Sequence, residues 1–239
     1  MTTVDRGLND RWIRPKYVTR LTDREFRFDL QETTGRAWAN ETVTIPLPLE
    51  GKPPVNVMCE NEAVPWQWTD HGLALGVDSL EPNQHLVYHV AVQERNPAPF
   101  PEKNEGVRVI RNADTIDLEN DHLAVRLPTR IPTDNENNGA RIPGPLVAVR
   151  RGSGAWCGNG WLQGPSVVCD LQTEVVVEGP LWTTVRIAYK FRDGAHYHVK
   201  VTMRPGEEIC EVHEESDIPV QLEPALRPYK EIGTLGASH

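Results

Sequence analysis

The segment from Val175 to Asp217, VVVEGPLWTTVRIAYKFRDGAHYHVKVTMRPGEEICEVHEESD, admits few folds. Val185, Ile187, Tyr189 and Phe191 recur at alternate positions, with Arg186, Lys190 and Arg192 on the other parity. Successive side chains of a strand point to opposite faces, so this period predicts one buried face and one wet face. Tyr197, Val199, Val201 and Met203 repeat the pattern after Asp193-Gly194, the residue pair that accepts positive φ in a tight hairpin turn. Glu178-Gly179-Pro180 and Arg204-Pro205-Gly206 punctuate the strands. A further run, Glu208 to Asp217, sets Ile209 and Val212 among Glu211, Glu214, Glu215 and Asp217. An antiparallel meander is expected.

Alternation extends upstream. Arg24 to Leu30 places Phe26, Phe28 and Leu30 on one face, and Trp38 to Leu49 does the same with Val43, Ile45 and Leu47. Val55 to Cys59, Ala63 to Trp68, Gly72 to Val77 and Gln84 to Val92 read as further short strands. Turn signals at Asn61-Glu62, Asp70-His71-Gly72 and Glu81-Pro82-Asn83 separate them. Short strands at this spacing predict a small barrel or sandwich over residues 1–95, with residues 1–20 a tail or a loosely packed first strand. The proline-rich stretch Asn96 to Glu105 reads as a linker. Residues 106–239 then predict an antiparallel β-sandwich: a strand at Val107 to Ile110, a hairpin at Thr115 to Leu127, and a polar loop at Thr129 to Gly144. A strand at Leu146 to Arg150, an aromatic glycine-rich loop or hairpin at Gly152 to Gly164, and a strand at Val167 to Val177 lead into the meander. The expected class is all-β, with the second sandwich incomplete: residues 106–174 are expected to supply too little of the opposing sheet, leaving an open edge and an uncovered apolar face.

Composition narrows the function. A formal net charge of −9 argues against a nucleic-acid partner, because phosphate binding needs clustered Lys and Arg. An acidic polysaccharide would need a local basic pocket against that background. No signal peptide and no run of transmembrane length is visible, so no membrane partner and a cytoplasmic location are expected, or an extracellular one if a leader has been lost. Cys59, Cys157, Cys169 and Cys210 form no CxxC pair and are expected as free thiols.

EGPL…VRIAYKFRDGAHYHVKVTMRPGEEICEVHEESD resembles the opening of the large β-sandwich of galactose-mutarotase-like and polysaccharide-lyase proteins. It is also similar to the C-terminal β-domains of α-mannosidase-like glycoside hydrolases, and most of all to exo-rhamnogalacturonan-lyase-like (YetA-like) proteins, where a small barrel precedes the sandwich. IDLENDHLAVRL resembles the entry strands of that sandwich. Val64-Pro65-Trp66-Gln67 and the strand carrying Leu80, Pro82, Tyr88 and Val90 resemble a module found beside sugar-processing domains. The resemblance implies the N-terminal portion of a larger carbohydrate-active protein. The epimerases of that fold use a His and a Glu in the sandwich cleft, and no motif here matches that pair.

Four groups of residues carry candidate chemistry. Glu211, His213 and Glu215 share one strand face, a histidine between two carboxylates, as acid–base work in sugar cleavage would use. A solvated charged face gives the same pattern. His196 and His198 share a face and would supply two of the three or four ligands a zinc ion needs. Trp156 and Trp161 in the glycine-rich loop are candidates to stack on sugar rings, in a chain whose tryptophans, Trp182 among them, are unusual in number. Trp66 and Trp68, on one face of a strand, offer a flat platform for the same purpose or a packing surface. Walker, GxGxxG, GxSxG and HExxH motifs are absent, and no cofactor is expected.

Three readings follow. The first is a β-rich part of a polysaccharide lyase or glycoside-hydrolase-like protein that supports or lines a saccharide cleft, with the rest of a larger polypeptide as partner. The second is a self-contained epimerase of mutarotase type. The third is a non-catalytic carbohydrate-binding module.

Overall fold

The computed structural model describes residues 13–94, 106–131, 142–158, 160–163, 167–217 and 221–223. The expected linker at 96–105, most of the 129–144 loop and the C-terminal tail lie outside the described residues. The chain is all-β: among the described residues there are strands and turns but no helix, so none that could cross a membrane. The strands form two compact units, Thr2–Lys103 and Asn104–His239.

In the first unit the strands are β1 (Ile13–Arg20), β2 (Glu25–Glu32), β3 (Trp38–Ile45), β4 (Val55–Cys59), β5 (Glu62–Ala63), β6 (Trp66–Thr69), β7 (Gly72–Leu80) and β8 (His85–Val92). They make two antiparallel sheets, ordered β1-β2-β8-β4-β5 and β3-β7-β6, with no closed barrel. The inward parity of each strand forms one core: Phe26, Phe28 and Leu30 with Val55, Val57, Tyr88 and Val90 from one sheet, and Val43, Ile45, Leu73 and Leu75 from the other. Phe28 and Tyr88 are register partners, and their rings stack at 4.8 Å. Cross-strand aromatic pairs of this kind stabilise a sheet by about 0.2–1 kcal/mol relative to alanines. The β4–β5 hairpin turns on Glu60 and Asn61, both at positive φ, as a two-residue turn requires.

Glu32 closes this unit at the end of β2. Its carboxylate, only 1% exposed, accepts hydrogen bonds from the Thr34 hydroxyl and N–H, from the Gly35 and Asn83 N–H groups at 2.9 Å each, and from the Trp38 indole at 3.4 Å. Burial pushes its pKa up, but the donors from Asn83, Thr34 and Gly35 outweigh burial and hold the carboxyl well below the usual range.

The second unit contains β9 (Arg108–Arg111), β10 (Thr115–Glu119), β11 (Leu123–Pro128), β12 (Ile142–Pro143), β13 (Ala148–Arg151), β14 (Trp161–Gln163), β15 (Val168–Glu178), β16 (Thr183–Phe191), β17 (His196–Met203), β18 (Cys210–Ser216) and β19 (Gln221–Glu223). A sheet ordered β13-β11-β10-β9 and another ordered β15-β16-β17-β18 share one core, and a short sheet β12-β14-β19 lies beside them. The meander is as expected: Val185, Ile187, Tyr189, Tyr197, Val199, Val201 and Met203 are fully buried. Tyr189 and Tyr197 stack as register partners at 5.6 Å, and the Tyr189 hydroxyl donates to the Pro143 carbonyl at 2.9 Å, joining β16 to β12.

Ile116, Leu118, Leu123, Val125 and Leu127 pack in one core with the meander's apolar face. The edge strand β15 carries two register shifts, near Val168 and Val175, and bulges of this kind bend an edge away from foreign strands. The turn after Phe191 is not built on a positive-φ pair. Gly194 alone has positive φ, 89°, and the Phe191 N–H reaches over three residues to the Ala195 carbonyl at 2.9 Å. The Asp193 carboxylate instead accepts from the Ala195 N–H at 3.1 Å, which keeps Asp193 in an ordinary conformation.

A carboxyl with a depressed folded pKa contributes stability above its unfolded pKa and loses that contribution as pH falls toward the folded value. The first unit is therefore expected to weaken as pH drops below the ordinary glutamate value of 4.5. Glu32→Gln should be less stable than the parent at neutral pH and converge with it in acid. Urea midpoints measured across pH check this; parallel profiles for the two proteins would contradict it.

Candidate functional site

The outer face of the β13-β11-β10-β9 sheet holds the candidate site. On β10, Leu118 is buried, so Asp117 and Glu119 face outward; on β11, buried Val125 sends Arg126 outward. Cross-strand register then sets Arg108 beside Glu119, and both Glu119 and Arg150 opposite Ala124, whose small side chain leaves room between them. The Nη2 atoms of Arg108 and Arg150 converge on the same carboxylate oxygen, Glu119 Oε1, at 3.1 and 2.6 Å. One row below, Arg126 grips Asp117 with two parallel hydrogen bonds of 2.8 and 2.7 Å, and the Asn112 amide adds a third at 3.3 Å. The Asp117 hydrogen bonds raise the Arg126 pKa further above its already high value, against the effect of partial burial.

Trp156 covers this lattice. The chain leaves β13, turns, and doubles back so that Val149 and Cys157 exchange two backbone hydrogen bonds of 2.8 Å. The Gly160 N–H then donates to the Val147 carbonyl at 3.0 Å. A Cβ on Gly160 would sit 2.3 Å from the Leu146 carbonyl oxygen, so only glycine permits this approach. The hairpin brings the half-buried Trp156 ring against two guanidinium groups, with Arg126 Cζ 4.2 Å and Arg150 Cζ 4.9 Å from the ring centroid. Cation–π contacts at such distances are worth about 0.5–1 kcal/mol each at exposed sites and about 2 when desolvated.

Beside the lattice a groove of about 350 Å³ opens, lined by Arg108, Glu119, Asn120, Asp121, Arg150, Gly152 and Ser153. Asn120 fixes its floor. Its amide nitrogen donates to the carbonyls of Arg204 and Glu207 at 2.7 and 2.9 Å, and its oxygen accepts from the N–H groups of His122 and Leu123 at 2.9 and 2.8 Å. Every donor and acceptor position of this buried amide is thus used. One side chain ties the β10–β11 turn to the β17–β18 turn, and the Gly152 N–H, bonded to the His122 carbonyl at 2.8 Å, adds the third loop.

Of the residues singled out in the sequence, Trp156 is the one at this site. Trp161 lies on β14, paired with Pro143 and Glu223, and is half-buried there. Trp182 is half-buried with the Arg204 guanidinium 5.4 Å from its ring. Trp66 and Trp68 do share a face, but that face is turned to the first unit's core, opposite buried Leu75 and Leu73; the Trp68 indole donates to the Pro53 carbonyl at 2.7 Å. Glu211, His213 and Glu215 stand on the outer face of β18, opposite Thr202, Lys200 and His198 of β17, on the far sheet from the groove. His196 and His198 stack at 5.8 Å on that same face. Among the described residues no group of three or more His, Cys, Asp or Glu side chains is placed to hold a metal ion. All four cysteines are unpaired; burial pushes the thiols of Cys59 and Cys210 above their usual pKa. No local pattern marks Arg108, Arg126 and Arg150 as a set, because they come together only through register.

No family model matches the chain, and no curated protein matches it.

Asn120→Ala would strip partners from four backbone groups and is expected to destabilise the second unit by about 3 kcal/mol, since each buried unsatisfied group costs about 1–3 kcal/mol. Asn120→Asp should cost at least as much, a carboxylate then facing two carbonyls. A urea midpoint unchanged in either variant would contradict the clamp. Trp156→Leu, which keeps apolar bulk but removes the ring, is expected to cost about 1–2 kcal/mol. Trp156→Phe should retain part of that, and equal losses in both variants would show that the guanidinium contacts contribute nothing.

Proposed function

We propose that this chain binds a saccharide in the groove beside Glu119 and Arg150, as the β-rich supporting part of a carbohydrate-active protein of lyase or glycoside-hydrolase type. The observation that carries the reading is the arrangement of planar, pre-oriented polar groups around an open groove. Arg150 is held by Glu119 on one side and lies against the Trp156 ring; Ser153 stands on the rim; Asn120, its bonding capacity spent on backbone groups, keeps the floor rigid. Sugar hydroxyls donate and accept at once, so they are matched by neighbouring guanidinium donors and carboxylate acceptors on a rigid sheet. The groove's volume falls at the lower end of ligand pockets, which begin at about 300 Å³.

This reading assigns binding rather than turnover to the chain, because the histidine and carboxylates that suggested acid–base chemistry stand on the opposite sheet from the groove. Trp156 serves by orienting Arg150 and Arg126, which differs from the direct ring stacking expected of it.

Isothermal titration of the full chain with a panel of neutral and acidic monosaccharides tests the reading. Saturable binding is expected, weakened at least about tenfold by Arg150→Ala, in line with the loss of a hydrogen bond from a charged group. Lys200→Ala, on the other sheet, should leave it intact. Absence of saturable binding across the panel, or binding indifferent to Arg150→Ala, would reject the groove.

A further inference from the structure

The geometry points to a groove that selects a neutral sugar, gripped through neighbouring hydroxyls, over a sugar acid. The inference rests on the saccharide reading above and fixes the class of sugar. Arg108 and Arg150 would ordinarily mark a carboxylate-binding site, since a guanidinium matches a carboxylate with two parallel hydrogen bonds. Here the protein supplies that carboxylate itself. Both guanidinium groups converge on Glu119 Oε1, at 3.1 and 2.6 Å, and Glu119 is held in place with its side chain only 16% exposed. Asp121 adds a second negative charge to the lining, so the two cations and two anions around the groove cancel. Beyond the groove the chain carries a net charge of −9, which repels an anion at longer range.

Hydrogen-bond chemistry favours the same outcome. Glu119 uses one oxygen, Oε1, in both of its pairs, and Oε2 takes part in neither. Two neighbouring hydroxyls can meet this arrangement in full, one donating to the carboxylate while the other accepts from a guanidinium. A ligand carboxylate can only accept, and it would meet Glu119 and Asp121 as like charges. Glu119 therefore acts as a built-in competitor that excludes acids, a repulsive element of the kind that sets specificity.

The test uses sugars matched except at C6: galactose with galacturonate, glucose with glucuronate, and mannose with mannuronate. Amide signals of Gly152 and Ser153 in the full chain are followed by NMR during titration. The neutral member of at least one pair is expected to saturate these signals, with its acid binding more weakly. Glu119→Gln, which removes the negative charge that both guanidinium groups face, is expected to invert the order, the acid becoming the tighter ligand by about tenfold, the gain typical of a charge-assisted pair. An acid that binds the parent chain at least as tightly as its neutral partner in every pair would overturn the neutral-sugar inference and leave saccharide binding standing. The same holds for a Glu119→Gln protein that keeps the parent's order. If no sugar of either kind moves these signals, the saccharide reading falls and this inference falls with it.

Discussion

Leu118, Val125 and the partly buried Val149 lie in one cross-strand row of the second unit, and their packing into the core decides where the charges on their strands must go. A strand cannot turn two successive side chains the same way. Once Leu118 enters the core, Asp117 and Glu119 are committed to the outer face; once Val125 does, so is Arg126; once Val149 does, so is Arg150. The charged lattice is the obverse of the hydrophobic core. Shifting β10 by one residue would carry Leu118 out and two carboxylates in, at a cost far above any gain from the ion pairs. The site is therefore as rigidly registered as the core beneath it.

The two outer faces of this sandwich have similar charge content and different fates. On the meander face, Arg186 pairs with Glu174 at 2.6 Å and His198 sits opposite Glu215, but no described loop folds over these groups. They are solvated, and pairs of that kind contribute about 0–1 kcal/mol. On the other face the hairpin after β13 lays Trp156 against two arginines and shields Asp117 to 6% side-chain exposure. Excluding water is what turns charged residues into a fixed constellation, and a single aromatic ring on a glycine-shaped hairpin supplies much of that exclusion.

Much of the fold was legible because period-two alternation is local. The parity of Phe26 to Leu30, Val185 to Phe191 and Tyr197 to Met203 needs no knowledge of distant chain, and all of these side chains of that parity are buried. Parity does not say which face is inner, however. Alternation puts Trp66 and Trp68 on one face, yet only the pairing with Leu73 and Leu75 shows that it is the core face. Register was not legible either: Arg108, Glu119 and Arg150 are separated in sequence and adjacent only through the β9–β10–β11–β13 ladder. The short strands β12, β14 and β19, two or three residues each, carry too little pattern to be seen. At the turn after Phe191, Asp-Gly marked the place, but the length of the loop depends on where pairing resumes, at Ala195.

The bonds of Asn120 to the carbonyls of Arg204 and Glu207 join residues 84 and 87 positions apart. Each of the two hairpins they connect can form from nearby chain alone, whereas the clamp has no partner until both hairpins are built and their sheets have met. If a contact of this kind closes after the rate-limiting step of folding, it slows escape from the native state without hastening arrival. One amide would then act as a latch on the lifetime of the folded sandwich and of the groove whose floor it forms.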